Sequence, residues 1–263
     1  MEVVIVGSGN VATVLGRKIK RAGHTVLQVA GRSKTAVSRL ADLLESSPVL
    51  DFEKITPNAD LYLIAVSDRA LYSIPGMFRS EKGIVVHTAG SVEMKVLAPY
   101  HKRCGIIYPL QSLRSEMEHI PEIPLLTEAS DEETAEQITR FAGSISEKVA
   151  EANSQQRMEL HLAAVLTSNF TNHLYALADD YCRKKQLDFS LLHPLIEETA
   201  TRIRKHDPAA VQTGPAARGD QVTIEKHRGL ISDMPELRRL YDLLNDSIIR
   251  NAQQVRDAGS HNG

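Results

Sequence analysis

The 263-residue sequence contains no tryptophan, which removes the indole as a stacking platform, and phenylalanine and tyrosine supply the 5% of aromatic residues. It has only two cysteines, Cys104 and Cys182, far apart and without CxxC spacing, so neither a disulfide framework nor a zinc knuckle is encoded. A reducing, cytoplasmic setting is expected, because the first residues also lack a basic n-region and a small-residue cleavage site. No apolar run approaches the ~18 residues of a membrane span. Neither sign of charge is in excess: 31 Lys and Arg stand against 33 Asp and Glu, a formal net charge of -2. That balance gives no global field for nucleic acid or for an acidic membrane surface, so any anion site must be local. The histidines, among them His161, His173, His206 and His227, show no HExxH-like spacing, and no metal site is expected.

What is present is a succession of short apolar runs with helical patterns between them. Strand-length runs occur at Val3 to Val6, Thr25 to Ala30, Leu61 to Val66, Ile84 to His87 and Gly105 to Leu110. Runs that are apolar throughout predict strands covered on both faces, hence a mostly parallel sheet. Asn10 to Ala22 and Ser33 to Ser46 carry apolar residues at three- and four-residue spacing, as crossover helices do. A last strand-helix-strand stretch, from Pro124 to about Glu151, completes the sheet. After Asn153 only helical patterns follow. The first runs for about thirty residues, QQRMELHLAAVLTSNFTNHLYALADDYCRKK, which is long for a globular helix and suits an interface. Others are predicted at Phe189 to Lys205, Val222 to Ile231 and Pro235 to Val255, with a loop at AAVQTGPAARGD. The expected architecture is α/β, with a doubly wound sheet in residues 1–152 and an all-helical domain in 153–263.

The segment GSGNVA follows the first strand and opens a helix, the context that gives a glycine-rich pattern meaning. Gly7 permits the turn, Gly9 lets the backbone approach a pyrophosphate, and Ala12 stands where the third glycine of a dinucleotide fingerprint would allow close packing. Ser8, Asn10 and Val11 complete the cradle, with the helix N-terminus facing the phosphates. After the second strand an NAD site usually has an acid for the ribose hydroxyls. Here the sequence is Gly31-Arg32-Ser33-Lys34. Arg32 offers a charge-assisted fork to a 2'-phosphate, and Ser33 and Lys34 add donors, so the expected cofactor is NADP(H).

GSGNVA, GRS and the helical second half together resemble the superfamily that includes pyrroline-5-carboxylate reductase and the 6-phosphogluconate dehydrogenase-like enzymes. A closer resemblance runs through VVHTAGS, YPLQSL, the SN of LTSNF, and TGPAARGD followed by a helix containing a histidine. These are similar to Rossmann-like proteins that carry a C-terminal domain of unknown function, some of them described as candidate NADP oxidoreductases. The resemblance implies a Rossmann domain, a helical domain that completes the substrate site and a homodimer. The usual lysine-x-x-x-asparagine pair of the helical-domain enzymes does not occur here.

In an open parallel sheet, ligands gather at the carboxyl ends of the strands. Val66 and Ser67, with Asp68 beside them, and Thr88 are expected next to the cofactor; Ser91 is a candidate for the substrate or for capping a helix that begins near Val92. Tyr108 to Ser112 ends a third strand, and His87 reads as a core histidine. On the long helix, at about 100° per residue, His161 shares a face with Ser168 and Asn172, while Asn169 and His173 lie further round. An imidazole titrates near pH 6.5 and suits a proton donor. His161, Ser91 and Asn169 are therefore the candidate catalytic residues of an oxidoreductase acting on a small carbonyl, imine or hydroxyl compound in an interdomain cleft. A non-catalytic NADP-binding sensor is the alternative, and a deazaflavin-coupled reductase a third; no distinct motif or tryptophan supports the second flat cofactor of the last. In the TGPAARGD segment, Thr213, Gly214 and Arg218 suit an anion or a dimer partner, and Asp220 suits a helix cap.

Overall fold

The computed structural model describes residues 1–260 and divides into two compact units, the first running from Met1 to Thr171 and the second beginning at Asn172. The first is built on one sheet. Its strands are β1 (Glu2–Val6), β2 (Thr25–Ala30), β3 (Ser47–Val49), β4 (Leu61–Ile64), β5 (Ile84–His87), β6 (Cys104–Pro109), β7 (Leu125–Ala129) and β8 (Val149–Glu151). They lie in the order β3-β2-β1-β4-β5-β6-β7-β8. The first six are parallel, β7 pairs antiparallel with β6, and β8 follows β7 in parallel. This is the Rossmann strand order, with its reversal between β1 and β4.

The unbroken apolar strands follow from cover on both faces. Val3, Ile5, Leu61, Leu63, Ile84 and Val86 point to one side, where α1 (Asn10–Arg21), α2 (Lys34–Leu44) and α3 (Glu132–Ile145) pack with Leu15, Leu40 and Phe141. Val4, Val6, Tyr62, Ile64 and Val85 point to the other, under Leu71, Ile74, Phe78 and Leu97. The connections on that second side are short 3-10 turns at Asp68–Tyr72, Ile74–Met77 and Met94–Val96 rather than α-helices. Pro75 and Gly76 explain the brevity of the first pair, since neither sustains a helix interior.

The helical part starts after β8 with α4 (Ser154–Ala164), entered through a reciprocal cap in which Asn153 Oδ1 accepts from Gln156 N at 2.9 Å and Gln156 Oε1 accepts from Asn153 N at 3.1 Å. The compact first unit keeps this helix as far as Thr171, whereas the sequence pattern changes near Asn153. A π-helical segment, Val165–Phe170, then leads into α5 (Thr171–Lys184). The predicted single face of His161, Ser168 and Asn172 assumed a regular helix throughout. The π segment contains Ser168 and separates His161 from Asn172, its hydrogen bonds spanning five residues rather than four, so that phase is not kept.

The second unit contains α6 (His193–Arg202), α7 (Pro215–Arg218), α8 (Gln221–Leu230) and α9 (Pro235–Ser260). The segment read as a loop at TGPAARGD holds α7, bounded by Gly214 and Gly219 at positive φ, 107° and 72°. Asp220 caps α8, accepting from Thr223 N at 3.0 Å, and its carboxyl is held below the ordinary range by the Thr223 hydroxyl and amide. Polar contacts join α8 to α9: His227 Nδ1 to the Tyr241 hydroxyl at 2.9 Å, and Arg228 Nε to Asp242 at 2.7 Å. No described helix is long and apolar enough to cross a membrane.

Candidate functional site

A pocket of about 560 Å³ opens at the carboxyl ends of β1, β2, β4 and β5, the crevice where the strand order reverses. Its floor is the turn from β1 into α1. Gly7 has φ 128°, and a Cβ there would lie 2.0 Å from the Ala65 carbonyl oxygen, so both conformation and proximity to β4 require glycine. Gly9 caps α1 without a side-chain hydrogen bond, and a Cβ built on it meets nothing within 4 Å. The first turn of α1 holds no acid, which leaves its free N–H groups and positive end facing the pocket. This open cradle fits the pyrophosphate of a dinucleotide.

Ten of the residues singled out by sequence line the pocket: Gly7, Ser8, Gly9, Asn10, Val11, Arg32, Ser33, Val66, Ser67 and Thr88. Ala12 does not; it is fully buried beneath the cradle, as close packing of α1 on the sheet demands. Lys34 is also outside the lining, as the exposed first residue of α2. Ser33 has two engagements, lining the pocket and capping α2 through the Ala36 amide at 3.4 Å. Arg32 forms no hydrogen bond or ion pair with any described residue, leaving its guanidinium free at the lip. Thr88 turns its hydroxyl to the Ile64 carbonyl at 3.4 Å, so its contribution to the wall is largely shape. Gly31, Phe52, Ala65, Asp68, Ile74, Ala89 and Gly90 complete the lining.

Gly90 joins this pocket to a second group. A Cβ on Gly90 would stand 2.9 Å from both His161 Nδ1 and the Tyr108 ring. The Tyr108 hydroxyl lies 2.9 Å from His161 Nδ1, with the rings edge to face at 72° and 5.9 Å between centroids. Burial pushes the Tyr108 phenol above its ordinary range; the nearby Arg157 charge opposes this and Asp68 adds to it. On the other side of Gly90, Ser91 donates its hydroxyl to Asp68 in a short hydrogen bond. The helix that Ser91 was a candidate to cap does not form; the turn at Met94–Val96 begins after Glu93. Asn169 sits exposed in the π segment, and no contact brings it to His161 or Ser91 among the described residues.

Beneath this loop lies a charge that sequence reasoning missed. Arg157 on α4 is 1% exposed, pairs with Glu128 of β7 in a short ion pair, and donates to the Val92 carbonyl at 2.8 Å. Its position in QQRMEL resembles any solvated helix turn, so no pattern marked it. His87, read as a core histidine, is fully buried; its Nδ1 accepts from Ala89 N at 3.2 Å. Burial, and then the Arg157 charge, lower its pKa to about 4. The Glu93 carbonyl favours the charged form, but Nε2 has no partner in hydrogen-bond geometry. Three or more His, Cys, Asp or Glu side chains placed to hold a metal do not occur among the described residues.

Comparison with known proteins places this geometry. Residues 1–111 match the Rossmann-like domain and residues 123–248 match the domain of unknown function DUF2520. No curated protein matches the chain. A Bacteroides fragilis structure named as a candidate NADP oxidoreductase is 38% identical, with a TM-score of 0.87 over 95% of this chain and 98% of its own. A Thermotoga maritima protein, 22% identical, shares the fold with a TM-score of 0.75 over 97% of this chain and 99% of its own. A 1-pyrroline-5-carboxylate reductase from Streptococcus pyogenes, 13% identical, does so with a TM-score of 0.64 over 97% of this chain and 98% of its own. The chain belongs to the family in which a Rossmann-like domain is followed by a DUF2520 domain.

Proposed function

We propose that the protein is an NADP(H)-dependent oxidoreductase acting on a small carbonyl, imine or hydroxyl compound. The observation that carries the reading is the unpaired Arg32 guanidinium at the lip of a glycine-floored pocket, where an acid would repel a 2'-phosphate. The name of the Bacteroides fragilis relative supports it. A nicotinamide dinucleotide bound there supplies or accepts hydride. Gly7 to Val11 hold its pyrophosphate, Arg32 and Ser33 its adenosine phosphate, and Val66, Ser67 and Thr88 the ribose and ring. Lys34, outside the lining, adds positive charge near Arg32, and Ala12 supports the cradle from below. Residues 1–152 thus serve the cofactor, while 153–263 serve substrate binding and assembly into a homodimer.

His161 is the proton donor in this reading, with Ser91 as a substrate anchor; Asn169 is a weaker third member because it has no contact with either. The Tyr108–His161 pair against Gly90 favours turnover over a sensor without chemistry, since a pure binding protein has no use for an imidazole held beside the pocket. Titration of the purified protein with NADPH and with NADH, followed by nucleotide fluorescence, tests the cofactor. Binding of NADPH at micromolar and of NADH only at far higher concentration is expected; no binding of either at millimolar concentration overturns the proposal.

A further inference from the structure

We propose that Tyr108 is a positioning residue that holds neutral His161 with its ring proton on Nε2, presenting a hydrogen-bond donor to a carbonyl oxygen of the substrate. The inference rests on the oxidoreductase reading above and narrows its substrate class.

One arrangement of the neutral pair gives the phenol hydrogen an acceptor among the described residues. Tyr108 is 8% exposed, and its hydroxyl has a single hydrogen-bond partner among the described residues, His161 Nδ1 at 2.9 Å. A buried hydroxyl hydrogen without an acceptor costs about 1–3 kcal/mol. Burial also keeps this phenol protonated, so its hydrogen is always present to be placed. We take it to point at Nδ1, which is then the bare nitrogen, with the imidazole proton on Nε2. Nε2 makes no hydrogen bond with the described residues and is left free for a ligand.

Gly90 is part of the device. Its missing side chain lets both rings close on each other, since a Cβ would press to 2.9 Å on Nδ1 and on the phenol ring alike. The same residue lines the pocket beside Thr88 and Ala89, and the pair packs directly behind it. A nitrogen bearing hydrogen suits an acceptor atom on which negative charge develops, as a carbonyl oxygen does during reduction. With hydride supplied by the nicotinamide, the oxygen takes the Nε2 proton as the Tyr108 hydroxyl passes its own to Nδ1, and the phenolate regains a proton from water. It does not suit a hydroxyl whose proton must be removed, for that requires a bare nitrogen on the ligand side.

The test is the nitrogen spectrum of the histidine rings in the full-length protein, wild type and Tyr108→Phe, labelled with ¹⁵N-histidine at a pH where the rings are neutral. His161→Gln assigns the signal. Wild type should show a bare, hydrogen-bonded Nδ1 and a protonated Nε2; Tyr108→Phe should lose the hydrogen-bond shift at Nδ1 and let both tautomers appear. A wild-type proton on Nδ1, or an unchanged Nδ1 shift in the variant, overturns the inference. NADPH titration of the same samples separates the two claims: both should bind within about twofold of each other. Failure of wild type to bind NADPH overturns the oxidoreductase reading while the tautomer assignment stands. Loss of NADPH only in the variant makes Tyr108 a structural support of the pocket and removes the positioning role.

Discussion

The two compact units bury their side chains very differently. In the first, Ile5, Leu15, Leu63, Val86 and Phe141 are at most 1% exposed, and a sheet covered on both faces satisfies its own apolar surface. In the second, the buried hydrophobic residues among those described are few, Cys182, Ala216, Ile224 and Ile231, while Leu191 is 77%, Val222 67%, and Leu195 and Leu243 62% exposed. Its helices are joined instead by polar contacts such as His227 with Tyr241 and Arg228 with Asp242. The first unit has a continuous core around its sheet, although Leu162, Leu166 and Phe170 on the helical segment it carries are exposed. The second has the surface of a piece cut from a larger core, which accords with the homodimer proposed for it.

That contrast can be broken most forcefully at Arg157. Replacing it with alanine leaves Glu128 without its partner in a mostly buried position, and about 3–5 kcal/mol of stability should disappear in urea unfolding. Substituting Glu128→Gln in addition should recover part of it. His87 gives the next largest effect, through acid. Its folded pKa of about 4 lies below the unfolded 6.5, so the unfolded chain binds a proton that the folded chain refuses between those values. Stability should fall as pH drops from about 6.5 to 4, by at most about 3 kcal/mol. His87→Asn should flatten that slope, and an unchanged slope would assign it elsewhere.

Arg32→Asp acts on binding rather than folding. NADPH should weaken about 10- to 100-fold, the size of a lost charge-assisted contact, while NADH changes little. Equal loss for both nucleotides would remove Arg32 as the residue that selects the phosphate. At the small end, Leu191→Glu with Leu195→Glu touches only exposed positions and should change intrinsic stability by no more than about 0.5 kcal/mol. Sedimentation should nevertheless show a monomer where the parent is a dimer. A parent that is already monomeric would end the dimer proposal and leave the exposed leucines without a role.

The sequence made the sheet legible because burial on both faces leaves a continuous apolar run, and five of the eight strands were readable this way directly. The short β3 hides in ESSPVL, where a proline and two serines look like a turn. The cradle was legible too, since a turn with φ 128° beside a carbonyl admits only glycine and announces itself. The pairing of Tyr108 with His161 was not, because 53 residues separate them and nothing in YPLQSL or MELHLAA records their approach. Nor was the π segment: VLTSNF has ordinary helical composition and contains no glycine or proline to mark a break.

The reversal at β7 determines where α4 can travel. Because β7 and β8 run against β6, the chain leaves the sheet at the end remote from the pocket and must climb back along it. Arg157 engages Glu128, whose strand partner is Ile106, and four residues later His161 meets Tyr108, two residues further along the same strand. Four helical residues rise about 6 Å and two strand residues advance about 6.6 Å, so helix and strand keep step. The buried ion pair therefore works as a datum from which the imidazole height is measured. An insertion or deletion of one residue between Arg157 and His161 would rotate the ring off the phenol while leaving every strand in place.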